Sequence, residues 1–338
     1  MACGGFLWCF GVGLIGLVLL ERRRLDMGRF GFLPNRCGLL SLMLGLACGI
    51  STSRGLEPEP FVPVFQHMLE EWEAEPYEVT VHHYGALNDE QRAAVERLQD
   101  AQRGTARHPP ANLAVRLINH ADAAQAVTLA PDEFPWLAVR YPSHFGMRAP
   151  IWQGELALPA VERLLQSPAR ALITDAVTQG KAGAWVFLPS GDESVDAHVR
   201  ADLEKELDRI AHNLAASGKD AEHHAYDSGA TPGLLDVRFA IIEVDREDPA
   251  EEMLVQMLLH TEPDLRDLGD QPMVFPVYGR GLVLYALVGR GIHAHTLRQA
   301  VEMLVQDCAT CQPDMMASGV ELLLSANWAE RLRSPVAP

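Results

Sequence analysis

From residue 61 onward, apolar positions switch between helical spacing and strict alternation, and they do so in the same order twice. A short amphipathic helix opens the chain's first unit, with Val64, Phe65, Met68, Leu69 and Trp72 at helical spacing between Phe61 and Trp72. Residues 79–84 alternate as a strand, and Asn88-Asp89 caps a helix over 90–103. Leu113, Val115 and Leu117 share one face of a second strand over 112–119, and 121–126 is at best a short helix. After the step Phe134-Pro135 come strands over 136–141 and 151–156, separated by a hairpin loop rich in Pro and Gly. A helix then starts at Pro159, breaks at Ser167-Pro168 and resumes to Thr178.

The second unit begins with a strand over 184–188. A helix over 196–214 follows, with Val199, Leu203, Leu207, Ile210 and Leu214 as its apolar stripe. The polar stretch 215–235 reads as a loop, and 237–244 as a buried strand. A helix starts at Asp248-Pro249. After the step Gln271-Pro272, residues 273–278 and 282–288 form a hairpin that turns on Gly279-Arg280-Gly281. A last helix spans 292–307, and 319–328 ends the fold as an apolar segment that reads as an edge strand.

The order strand, helix, strand, X-Pro step, hairpin, helix resembles the thioredoxin fold. The resemblance implies an α/β architecture of two tandem thioredoxin-like domains, over 61–180 and 181–330, each a mixed sheet flanked by helices, preceded by a signal or anchor region over 1–52. Both X-Pro steps stand where that fold keeps a cis-proline, so the resemblance implies a cis bond before Pro135, before Pro272, or before both. A catalytic thioredoxin carries Cys-x-x-Cys between its first strand and first helix. Neither unit has a cysteine there.

The N-terminal 60 residues follow a different logic. Ala2–Leu20 is an apolar run of membrane-spanning length, followed by Glu21-Arg22-Arg23-Arg24. A second, shorter run, Cys37–Ile50, is preceded by Met27, Arg29 and Arg36 and followed by small polar residues. That order of basic, apolar and small residues is expected of a secretory signal that starts at Met27, with Met1 marking an upstream extension. The competing arrangement is a two-helix membrane hairpin. Both export everything after residue 52, to the periplasm or to a membrane anchor facing it. Leu44-Gly45-Leu46-Ala47-Cys48 also resembles a lipoprotein signal, which would acylate Cys48. It departs from that pattern at Gly45, where an aliphatic residue is usual.

Charge narrows the partners. The chain's net charge is −17, and residues 1–51 hold five of its 28 basic and two of its 45 acidic residues. The remainder therefore carries 23 against 43, a net of −20, which repels phosphate backbones and offers no basic patch to anionic lipid. Nucleic acid is excluded as a partner, and the membrane is reached only through the N-terminal segment.

Four of the six cysteines (3, 9, 37, 48) fall in that leader, which leaves Cys308 and Cys311 as the one pair beyond it. In an oxidising compartment such a pair reads as a structural disulfide, and the alternative is a redox centre. The redox reading requires a thiolate, whereas the pair follows a helix C-terminus, whose dipole disfavours one, and sits beside Asp307. A zinc site needs four ligands, and the nearest histidines, His293 and His295, are about 20 Å away along the helix. His82 and His83 adjoin in a strand and face opposite sides, and His223-His224 falls in the polar stretch. No nucleophile elbow, His-Glu-x-x-His, phosphate loop or dinucleotide glycine cluster occurs, so no catalytic residue, metal or cofactor is assigned.

Several segments resemble an uncharacterised family of exported bacterial proteins: the run from Asp248-Pro249-Ala250-Glu251, Pro272-Met273-Val274-Phe275-Pro276-Val277-Tyr278-Gly279-Arg280-Gly281, Gly289-Arg290-Gly291-Ile292, and Gly319 to Trp328. The similarity is strongest over 248–328 and fainter over 134–214. Family tails carry Cys-x-Cys before a Gln-Val-Lys run, where this chain has Cys308-Ala-Thr-Cys311-Gln-Pro. Members resemble products encoded beside ABC-type exporters, which implies a transport accessory of the envelope. Two expectations follow. The favoured one is a non-catalytic, tandem thioredoxin-like module that binds a protein partner in the cell envelope. The alternative is a thiol–disulfide protein using Cys308 and Cys311.

Overall fold

The computed structural model describes residues 61–121, 134–147, 149–224, 237–308 and 319–333. The chain is α/β, with two mixed sheets flanked by helices. The first sheet contains β1 (Tyr77–His83), β2 (Leu113–Asn119), β3 (Trp136–Arg140) and β4 (Trp152–Glu155), in the order β2-β1-β3-β4. β1 runs parallel to β2 and antiparallel to β3, which is antiparallel to β4. Tyr77, Val79 and Val81 of β1 point to one face and are fully buried there. β1 and β2 are joined through helix α2 (Asp89–Arg103), which starts where the pattern predicts. Asn88 and Gln91 form a reciprocal capping box, each side chain taking the other's backbone N–H. The one-turn-shorter-than-expected helix α1 (Val64–Glu70) precedes the sheet.

α3 (Leu158–Leu165) and α4 (Pro168–Thr178) are separated at Ser167-Pro168. Pro168 has no N–H to continue α3, and the Ser167 hydroxyl accepts from Arg170 N at 3.0 Å, which restarts the helix.

The second sheet holds β5 (Gly183–Leu188), β6 (Phe239–Glu243), β7 (Met273–Tyr278), β8 (Leu282–Val283), β9 (Leu287–Val288) and β10 (Val320–Glu321). Its order is β10-β8-β7-β5-β6, with β9 also on β7. β5 is parallel to β6 and antiparallel to β7. β5 is buried along its whole length because both its faces are covered, which accounts for its unbroken apolar sequence. Ala184, Val186 and Leu188 face the core shared with the first sheet, and Trp185 and Phe187 face a second core under α5 (Glu193–His224) and α7 (Ala294–Val305).

Three expectations change. The expected strand 282–288 is split into β8 and β9. Pro276 lies in the middle of β7 and has no N–H to offer the facing strand, while Ala286 N turns aside to Glu262 Oε1 at 3.1 Å. The expected loop after 214 continues as helix to His224, since the Ala-rich, charged stretch that follows suits a helix. Helix α6 (Glu252–Leu259) begins three residues later than Asp248-Pro249, which instead form a turn.

Leu56–Pro338 forms one compact unit rather than two contact-separated bodies. Closing helix α4 of the first repeat packs on β5 and β6 of the second, so one apolar core runs through both sheets. The C-terminal segment fastens them. Glu321 accepts from Trp72 Nε1 at 2.6 Å and from Glu75 N at 2.8 Å, and its carbonyl accepts from the Tyr77 hydroxyl. Asn112 and Leu324 exchange hydrogen bonds at 2.7 and 3.3 Å. Among the described residues, no helix is long and apolar enough to cross a membrane. The signal or anchor region, with Met27 and Cys48, lies outside the described residues.

Candidate functional site

Parallel strands β1 and β2 end together, because their register pairs His82 with Ile118 and His83 with Asn119. The ends of both strands, the first turn after β1 and the start of β3 therefore meet at one corner. His82 and His120 approach there, Nδ1 to Nε2, at 2.9 Å. The His82 ring stacks on Trp136 with centroids 4.0 Å apart and planes 10° apart. His120 packs against Phe134 at 4.9 Å, and Tyr84 lies 6.3 Å from Phe134 and is half exposed. The Phe134–Pro135 bond beside these rings is cis.

The protonation of this pair follows from burial. His82 Nε2 is buried and has no hydrogen-bond partner. A proton there would be an orphaned donor, whereas a bare nitrogen is a cheap loss of an acceptor. His82 therefore carries its proton on Nδ1 and donates to His120 Nε2. Burial first, then His120 and Arg140, push the His82 pKa from 6.5 down to about 4. The sign of the resulting pH dependence is fixed. Between pH 6.5 and 4 the unfolded chain takes up a proton that the folded chain refuses, so stability falls as pH drops through that window and is flat above it. Urea unfolding at pH 7, 6 and 5 should show this loss, and His82→Gln should reduce the slope. An unchanged slope in the variant would refute the assignment.

The rings of His82 and His83 face opposite sides, as strand geometry requires. His83 Nδ1 meets Gly85 O at 2.8 Å, so it does not join His82. Gly85 has φ +70°, a left-handed conformation that suits glycine in the turn after β1. The turn, Gly85-Ala86-Leu87-Asn88, holds no thiol, hydroxyl or carboxylate. Among the described residues no three His, Cys, Asp or Glu side chains group as a metal site.

Of the two X-Pro steps the first is cis and the second, before Pro272, is not, which is one of the outcomes expected. Pro272 leads straight into β7, and its carbonyl accepts from Gly289 N at 2.9 Å next to β9, so the backbone there continues the sheet rather than turning a corner. Cys308 lies just beyond α7, 9 % exposed, packed with Val64, Met68, Tyr278, Leu282 and Leu304. It is disulfide-bonded, and its N–H donates to Val62 O at 2.8 Å. Cys311 lies outside the described residues. His293 caps α7, its Nδ1 accepting from Thr296 N at 3.4 Å, which is the polar helix start its sequence position implies.

His120, Phe134, Trp136 and Tyr84 were not legible as a site in the sequence. The available signal was that β1 ends in histidine and a histidine directly follows its parallel neighbour β2, which matters only once their register is known. No family model matches the chain, and neither a curated protein nor a solved structure matches it.

Proposed function

We propose that this chain is a non-catalytic, tandem thioredoxin-like module that binds a protein partner in the cell envelope, as an accessory to a transport system of the ABC-exporter kind. The observation that carries this reading is the corner at the end of β1. It combines stacked aromatic and imidazole rings with a cis-proline, in the place where a catalytic thioredoxin would hold its cysteines, and the turn after β1 carries no thiol. The strand order β2-β1-β3-β4 and its counterpart β6-β5-β7-β8, with the same parallel and antiparallel pairings, support the tandem thioredoxin-like assignment. Rings such as those of Tyr84 and Phe134 offer rigid contact area at small entropic cost, which suits binding.

The envelope address rests on the basic, apolar, small order of residues 27–53, and a disulfide at Cys308 is consistent with an oxidising compartment. The rival reading, thiol–disulfide exchange through Cys308 and Cys311, is disfavoured by burial of Cys308 beyond a helix C-terminus.

Equilibration of the purified chain with glutathione buffers separates the two. We expect no exchange without denaturant, and a pair that titrates near ambient glutathione potentials would overturn the binding reading. A disulfide within Cys308-Ala-Thr-Cys311 closes a very small loop, so its stabilisation should fall below the roughly 3 kcal/mol of a fifteen-residue loop. Cys308→Ser with Cys311→Ser should lower the melting temperature by only a few degrees and leave partner capture intact. Lost function on an unchanged melting curve would instead favour thiol chemistry.

A further inference from the structure

β6 is the outermost strand of the second sheet, and among the described residues no strand pairs with its outer edge. Arg238 O accepts from Ala182 N at 2.8 Å, and Val244 N donates to Phe187 O at 2.9 Å. The even-numbered residues of β6 therefore spend their backbone groups on β5, and Phe239, Ile241 and Glu243 turn theirs outward. The matching strand of the first sheet, β2, is partly closed, since its outward Val115 N donates to Gln102 Oε1 at 2.9 Å. On β6, Lys181 Nζ donates to Phe239 O at 3.3 Å, which still leaves that oxygen a second lone pair.

The strand is also open on the side of α5. A cleft of about 370 Å³ lies between the two, with Leu207 and Asp208 on one wall and Phe239 and Ile241 on the other. Charge is graded along the strand. Lys181 and Arg238 stand at its start, and the exposed Glu243 and Asp245 at its end. Glu243 pairs with Arg200 of α5, and both side chains are about half exposed. An unpaired edge of this kind is a template for another strand.

We propose that β6 is a dimerisation edge, on which a second copy of this chain adds its own β6 antiparallel about a twofold axis at Ile241. That register pairs all three outward residues. Ile241 exchanges both backbone bonds with its counterpart, and Phe239 exchanges both with the partner's Glu243. The same alignment sets the basic start of each strand against the acidic end of the other. Lys181, already at Phe239 O, then faces the partner's Glu243. The two Ile241 side chains meet at the axis on the face that carries α5, as a cross-strand pair of β-branched residues. An unrelated peptide would not reproduce this head-to-tail charge match, which favours a copy as the occupant. The edge is separate from the corner at the end of β1 and does not rest on the partner-binding reading.

Sedimentation equilibrium of the purified full-length chain tests this, together with amide hydrogen exchange at a dilute and a concentrated loading. Backbone pairing of two short strands is a small interface, so a Kd on the order of 10 µM is expected. Exchange over 239–243 should slow as the chain is concentrated. Ile241→Pro removes an outward N–H and none of the ladder to β5, so it should weaken the dimer by about tenfold or more. Glu243→Lys and Lys181→Glu should each weaken it by about threefold, and the two together should restore it. That charge exchange decides the matter if Ile241→Pro fails to fold. A monomer at every loading, or a dimer whose exchange over 239–243 does not slow, would overturn the proposal. So would protection of 239–243 already in the dilute monomer, which would mean that the edge is covered within one chain. An unweakened dimer in a folded Ile241→Pro variant, or no recovery on exchanging the charges, would overturn it equally.

Discussion

Glu251→Ala should destabilise the chain by about 3–5 kcal/mol, the scale of breaking a buried charged network. Glu251 is 4 % exposed and precedes α6. One carboxylate oxygen accepts from the Ser167 hydroxyl and the other from Ala169 N at 2.8 Å, so it fastens the α3–α4 break to the second sheet's helix. Its charge also favours the cationic form of Arg170. Alanine would orphan two buried donors, each costing about 1–3 kcal/mol, and leave the guanidinium less compensated. Glu251→Gln keeps one acceptor and should lose roughly half as much. Urea unfolding should show the midpoint falling at an unchanged m-value. A loss under about 1 kcal/mol for Glu251→Ala would mean that water replaces the carboxylate and that the network contributes little.

Trp185→Ala should cost a similar amount, about 3–5 kcal/mol, for a different reason. Trp185 is fully buried on the α5–α7 side of β5, beside Leu203, Leu207, Val274 and Leu297, with Phe239 edge-on at 6.0 Å. Truncation leaves a void that a sheet clamped between helices cannot close. Trp185→Phe should cost much less than half of that, because the indole Nε1 is buried without a partner and phenylalanine removes that orphan donor. The check is the ratio of the two losses measured by calorimetry. Equal losses would show that the indole N–H is satisfied in solution, by water for example.

Both residues show where sequence reasoning reaches its limit. Trp185 was legible as a strand residue, since Ala184–Leu188 is an apolar run between turn signals. Its two-sided burial was not, because a helix from the first repeat covers one face. Glu251 sits in an ordinary acidic helix start, and nothing local marks it as buried. The corner of His82, His120 and Trp136 has the same character. Its members lie 38 residues apart or more in partner pairs that only strand register brings together.

The sequence by itself determined the elements, because their signals act over a few residues. The period of 3.6 or 2 marks the buried face, Asn88 with Gln91 starts α2, Ser167-Pro168 breaks one helix and restarts another, and Gly279 and Gly281 supply the positive φ of the β7–β8 turn. Tertiary structure decided that the repeats share a core, that β8 and β9 part company opposite Pro276, and that Glu321 reaches Trp72 and Tyr77 across more than 240 residues. Those outcomes depend on which apolar faces can cover one another while leaving most buried donors an acceptor. That condition is met over the whole chain at once, so no local window of sequence contains it.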